Sequence, residues 1–293
     1  MSSLVHSSTL VTAGVYVLIR YHYLFFLFSW FFKVFSLFTM FIAGACACVE
    51  KDFKKVIAIS TLSQLGMMLF VLSVGLWVLS FLHMVIHAFF KRMLFLSSGS
   101  LIGQNWGAQD SRFYGGLPFG RGSVLFFFVS CFSLSGFPFV IGFYSKDFII
   151  SRVLGNNGGV FFFIFVLCCF LTVFYRIRLF VSGFLSFYKS APHLALSERG
   201  LFLFPVYFLF FICCFCGGGL AWFFLRDVSF FFRGFDLFVG LLVIIVCLLF
   251  YSPLVFRYNL FSFLMNIGFL RWISGGGVSR SFSSMFFYSG ESS

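Results

Sequence analysis

The sequence predicts an all-α polytopic membrane protein of about eight transmembrane helices, the fifth of them discontinuous. Three observations predict it. Hydrophobic residues fill 61% of the 293 positions and charged residues only 10%, with a mean hydropathy of +1.07. Soluble domains average about 25% charged residues, so a surface this poor in charge would not stay dissolved. Apolar runs long enough to cross a bilayer, roughly 20 residues, recur between short polar clusters. The basic residues are scattered over those clusters and form no patch, which argues against nucleic acid as a partner.

Cutting the chain at the polar clusters places spans at about 3–19, 30–49, 56–75, 77–101, 122–151, 159–180, 201–225 and 235–252. Arg20 to Tyr23 ends the first span, and Glu50 to Lys55 separates the second from the third. A bare hairpin near Gly75 joins the third to the fourth. Gly103 to Arg121 precedes the fifth, and Gly155-Asn156-Asn157-Gly158 follows it. The last connections are Arg176 to Arg199 and Arg226 to Gly234. Residues 253–293 are rich in Ser and Gly and read as an amphipathic or irregular tail. If the spans alternate, one face carries twelve Lys and Arg and the other at most five. That bias puts both termini on the cytoplasmic-like side. The net charge of +12 is then mostly a topology signal.

The 54 Phe exceed any packing need and fit a T-rich, organellar coding bias. The nine Cys lie in or beside apolar runs, without His or carboxylate at ligand spacing, and read as small apolar fillers. No phosphate loop, Fe–S spacing, haem motif or nucleophile elbow is present in the sequence.

Ionisable groups inside spans are expensive and by default functional. In the fourth span His83, His87 and Lys91 recur every four residues. Each step turns about 40° and rises about 6 Å, so the three form one polar stripe. Two histidines and a lysine so spaced can pass a proton, with water between them. The alternatives are structural hydrogen bonding or a metal site, although no third ligand lies nearby. In the fifth span Pro138, between Gly136 and Gly142, breaks the helix, and Lys146 and Asp147 follow the break. Helices broken at membrane depth mark transport sites. The alternative is the interfacial end of a shorter span. His6, with Ser7, Ser8 and Thr9, is a third polar cluster, and Ser60, Thr61, Ser63 and Gln64 could hold water between the clusters.

At these residues the sequence resembles the subunit 5 family of respiratory complex I. His6 to Thr9 with Val11 to Tyr16 resembles that family's eighth helix, and Asp52 to Gly66 its next loop and helix. His83 to Ser100 is similar to its eleventh helix, and Gly142 to Asp147 to its broken twelfth. The Lys146-Asp147 pair resembles subunit 5 rather than subunit 4, where a glutamate is expected. Arg92 departs from the small residue usual there.

The resemblance implies the C-terminal half of an antiporter-like helix bundle, with His6, His83, His87, Lys91, Lys146 and Asp147 on its proton path. It implies a proton-translocating subunit fragment of NADH:ubiquinone oxidoreductase in the mitochondrial inner membrane, with residues 253–293 on the matrix side. The redox site and the NADH, FMN, Fe–S clusters and ubiquinone are then expected on other subunits, with no cofactor or metal on this chain. The implied partners are subunit 4, other membrane-arm subunits, membrane lipid, and a separate chain carrying the N-terminal half of a split subunit. A multisubunit sodium/proton antiporter subunit and a non-conducting structural bundle are the alternatives.

Overall fold

The computed structural model describes residues 10–25, 28–104, 122–138, 140–156, 159–181, 200–225, 240 and 242–247, together with 107, 109–111 and 114. His6, most of the interval 235–252 and the tail 253–293 lie outside the described residues. The described elements are α-helices: α1 Leu10–Arg20, α2 His22–Phe25, α3 Ser29–Val49, α4 Phe53–Ser73, α5 Trp77–Gln104, α6 Gly122–Ser135, α7 Ile141–Asn156, α8 Val160–Phe180, α9 Gly200–Phe215 and α10 Gly217–Leu225. Residues 242–247 are also helical. The chain is a multi-pass, all-α membrane protein. Helices α3, α4, α5 and α8 are each long and apolar enough to cross a bilayer.

Chain chemistry sets the helix ends. Between α4 and α5, Gly75 takes a φ of 93°, which a Cβ would penalise. Its N–H reaches the Leu72 carbonyl at 2.9 Å, and the Leu76 N–H reaches Val71 at 3.2 Å. This crossed pair is a Schellman cap, which closes the hairpin and fills the orphan carbonyls of α4. At the other end of α4, Phe53 N–H bonds the Gln109 carbonyl at 2.9 Å and Ser111 N–H bonds that of Lys51 at 2.9 Å. The α3 carbonyl end is filled from α8, where the Arg178 guanidinium donates to Cys48 at 2.5 Å and also to the Glu50 carbonyl. A cation on a helix C-terminus complements its dipole.

The fifth predicted span is divided, as its sequence suggests, but the agent of the break differs. Gly136, at φ 84°, ends α6 with the same cap: its own N–H to Ser133 at 3.3 Å and Phe137 N–H to Phe132 at 3.1 Å. Pro138 sits outside the helix, two residues past the cap, and prevents its continuation. Interval 201–225 is also bent, at Cys216. There Gly217 lies so close to Ile141 that a Cβ would sit 2.7 Å from its Cα, so α10 meets α7 backbone to backbone.

The core is apolar and continuous, running from Met40 on α3 through Val56, Phe70, Ile86, Phe90, Phe127 and Ile149 to Cys169 and Tyr175. Trp30, Phe31 and Phe38 on α3 and Phe204 and Phe208 on α9 point outward, each more than half exposed. An apolar exterior around a bundle that buries its charges suits hydrocarbon as solvent. All nine cysteines are free thiols, and seven of them are buried.

Candidate functional site

Four helices, α4, α5, α7 and α8, bring polar side chains together inside the bundle. On α5 the four-residue spacing turns His83, His87 and Lys91 inward, and at most 2% of each is exposed. Arg92, one residue on, faces outward. The His83 and His87 rings lie 6.3 Å apart between centroids. His83 Nε2 meets the Gln64 amide oxygen at 3.2 Å, and its Nδ1 meets Ser145 Oγ at 3.0 Å. The amide oxygen only accepts, so Nε2 carries the proton in the neutral ring.

Ser145 can satisfy either form of His83. Toward the neutral ring its hydroxyl donates to Nδ1. Toward the protonated ring it accepts from Nδ1, and its own proton turns to the Gly142 carbonyl, 3.3 Å away. A hydroxyl rotation thus replaces a lost hydrogen bond in each state.

Lys91 and Lys146 occupy matching cradles. Lys91 Nζ donates to the Ile57 carbonyl at 3.1 Å and to Ser60 Oγ at 2.5 Å. Lys146 Nζ donates to the Ser135 carbonyl at 3.1 Å and to Thr172 Oγ1 at 3.1 Å. In each case the hydroxyl spends its own proton one turn back, on Ile57 at 2.6 Å or on Cys169 at 2.7 Å, and offers the lysine a lone pair. Both acceptors are neutral. An amine that has given up its third proton keeps two N–H donors, so it retains both bonds. The Ser135 carbonyl is free for Lys146 because Gly136 ends α6 there, which makes the helix break part of the cradle.

Asp147 follows on α7, 3% exposed, with Oδ2 unpaired. Gly240 lies against Oδ1 so closely that any Cβ there would overlap the carboxylate. Lys146, Asp147, Ser135 and Gly240 line a cavity with about 10 Å³ of room for water centres, enough for about one molecule. Both His87 ring nitrogens and Gln64 Nε2 are also buried without a hydrogen-bond partner.

Arg176 is the residue that sequence reading missed. The span 159–180 contains it, but it counts there among the basic residues of the connection that follows; in the structure it lies within α8 and is 2% exposed. Thr172, Tyr175 and Arg176 have the i, i+3, i+4 spacing of one helix face, which is the signal that could have found it. Thr172 holds Lys146, and Tyr175 shares a 3.3 Å hydrogen bond with Ser63 on α4. Arg176 lies over the Tyr175 ring, 4.9 Å from its centroid. Among the described residues no cluster of His, Cys, Asp and Glu has the makings of a metal site.

The sequence profile of the family described as "NADH:quinone oxidoreductase/Mrp antiporter, TM" matches residues 1–172, more than half the chain. The chain belongs to that family. Among its relatives, NADH-ubiquinone oxidoreductase chain 5 of Anopheles quadrimaculatus is 38% identical over 95% of this chain and 51% of its own length. The same protein of Locusta migratoria is 42% identical over 76% of this chain and 40% of its own. The chain thus spans about half the length of the curated relatives it matches. A solved Mrp complex from Dietzia sp. DQ12-45-1b superposes with a TM-score of 0.72 at 21% identity, over 99% of this chain and 34% of that one. An archaeal membrane-bound sulfane sulfur reductase gives 0.66 at 22%, over 81% and 49%. Both likenesses concern the fold, an antiporter-family helix bundle.

Proposed function

We propose that the chain is the C-terminal portion of a complex I subunit 5 and conducts protons across the mitochondrial inner membrane, coupled to NADH:ubiquinone oxidoreduction on other subunits. The observation that carries this reading is the pair of matching cradles. Two buried lysines, each held only by a carbonyl and a hydroxyl, can gain and lose a proton without losing a hydrogen bond. His83 and His87 extend from Lys91 along α5 toward Ser145, the neighbour of Lys146, and each neutral imidazole can accept a proton on one nitrogen while releasing another. Asp147 supplies the compensating carboxylate beside Lys146. Redox cofactors belong to partner subunits on this reading, and this chain contributes binding and release of protons at Lys91, His87, His83 and Lys146. His6, which lies outside the described residues, joins the same path on this reading through the likeness of its segment to the family's eighth helix.

A sodium/proton antiporter subunit shares the fold. The relatives at 38% and 42% identity, all of them respiratory chain 5 proteins, favour the redox-driven pump. A purely structural bundle would carry its buried charges at about 2.5 kcal/mol or more each, with no return. The test is Lys91→Met in the assembled complex, which keeps the apolar stem and removes the titrating amine. Proton translocation per electron should fall while assembly persists. An unchanged ratio would reject the role.

A further inference from the structure

Arg176 is buried, its guanidinium is a cation, and its Nε, NH1 and NH2 meet no nitrogen or oxygen acceptor in the protein. Its protein neighbours there are the Tyr175 ring face and the Cys131 thiol. A guanidinium has five donors, and a ring face and one weakly accepting thiol leave most of them unmet, a cost folded proteins rarely bear in a low-dielectric interior. Its location gives those donors a purpose. His87, Lys91 and Lys146 all lie within electrostatic reach of the Arg176 guanidinium. His87, in turn, has two unpartnered ring nitrogens. The same face of α8 already touches both lysine sites. Thr172 receives Lys146. Tyr175 bonds Ser63, whose hydroxyl donates to the Ser60 carbonyl, and Ser60 receives Lys91. The buried cations therefore surround one interior and are not strung along α5 alone.

We propose that Arg176 anchors a cluster of ordered water which joins Lys91 and His87 to Lys146 across α8, making it a positioning residue of the proton route. This rests on the proton-conducting reading above. Each guanidinium N–H turns a water's lone pair toward the arginine and its hydrogens outward, to a His87 nitrogen or a deprotonated lysine amine. A proton entering that water is repelled by the fixed charge, so it crosses to a neighbouring base and does not stay. Bonds balance at every hop, because each water gives up one O–H as it gains another. The arginine itself keeps all its protons.

Two measurements on the native assembly test this. A high-resolution map should place water within about 3 Å of at least two of the three guanidinium nitrogens. A carboxylate or a lipid phosphate on those nitrogens, or apolar packing against them, overturns the proposal. In sealed vesicles, Arg176→Met should lower protons moved per electron several-fold, and Arg176→Lys, which keeps the charge and three donors, should recover part of it. The outward-facing Arg92→Met serves as control. Wild-type ratios in both Arg176 variants overturn the positioning role. Should Arg176→Met fail to assemble, Arg176→Lys alone decides, by a ratio below or equal to wild type. The two readings fail separately: an unchanged ratio in Lys91→Met sinks the proton path, whereas the water positions bear on Arg176 alone.

Discussion

Ser145 and Gly240 show how single small residues serve the larger charged ones. Ser145 Oγ, between His83 Nδ1 and the Gly142 carbonyl, can serve as acceptor or donor as the imidazole gains or loses its proton. Ser145→Ala should cost about 1 kcal/mol of stability, while its effect on proton translocation should exceed what that loss explains. Ser145→Thr, which keeps the hydroxyl, should restore translocation. Equal translocation in the Ala and Thr variants would show that the hydroxyl is not used. Gly240 acts by having no side chain, because its Cα approaches Asp147 Oδ1 directly. Gly240→Ala should displace the carboxylate and destabilise the assembly by about 1–3 kcal/mol, as overpacking does. An unchanged thermal midpoint of the solubilised complex would place residue 240 away from the carboxylate.

At the scale of elements, the helix break and α8 organise the site. Gly136→Ala puts a Cβ on a φ of 84°, at about 1–2 kcal/mol, and also crowds Lys146 Cδ, 3.0 Å from the new atom. The melting point of the assembly should fall, and hydrogen exchange should rise around residues 132–137, where the cap holds α6 closed. Unaltered exchange there would contradict the capping account. The stripe on α5 was legible in the sequence because a four-residue spacing leaves little choice of face, and the break was legible because Gly and Pro occur together. Arg176 was not. Arg176 and Arg178 begin what reads as a basic connection, and on a helix as apolar as α8 only the spacing of Thr172, Tyr175 and Arg176 marks an inward face. The structure sends Arg178 to the end of α3 and Arg176 to the interior, a division fixed by the 100° turn per residue and by which neighbours α8 meets. The lysine cradles were equally hidden. Ser60 was readable as a polar residue, but its contact with Lys91 needs α4 and α5 packed in register. The bend at Cys216 depends in the same way on Gly217 meeting α7.

For the molecule as a whole, the surface is part of the argument. Trp30, Phe31, Phe38, Phe204 and Phe208 face outward from a bundle that buries His83, His87, Lys91, Lys146, Asp147 and Arg176, the inverse of a soluble protein. Composition alone conveyed that much, since it reports the solvent and not the packing. Orientation in the membrane follows from the basic loops. Lys54, exposed at the start of α4, should lie on the matrix side, so a cysteine placed there should react with a membrane-impermeant thiol reagent only from that face. Labelling from the opposite face would invert the topology. The chain also spans about half the length of relatives such as the Anopheles protein.

The central claim is that buried lysines in neutral cradles carry protons through this bundle. The most direct measurement is the ratio of protons translocated to electrons transferred in sealed membranes containing Lys146→Met, set beside Lys55→Met, whose amine is exposed and pairs with Asp52 at 2.7 Å. The account predicts a lowered ratio for Lys146→Met, with the complex assembled and still reducing quinone, and the wild-type ratio for Lys55→Met. A wild-type ratio in Lys146→Met, at normal assembly, would contradict it.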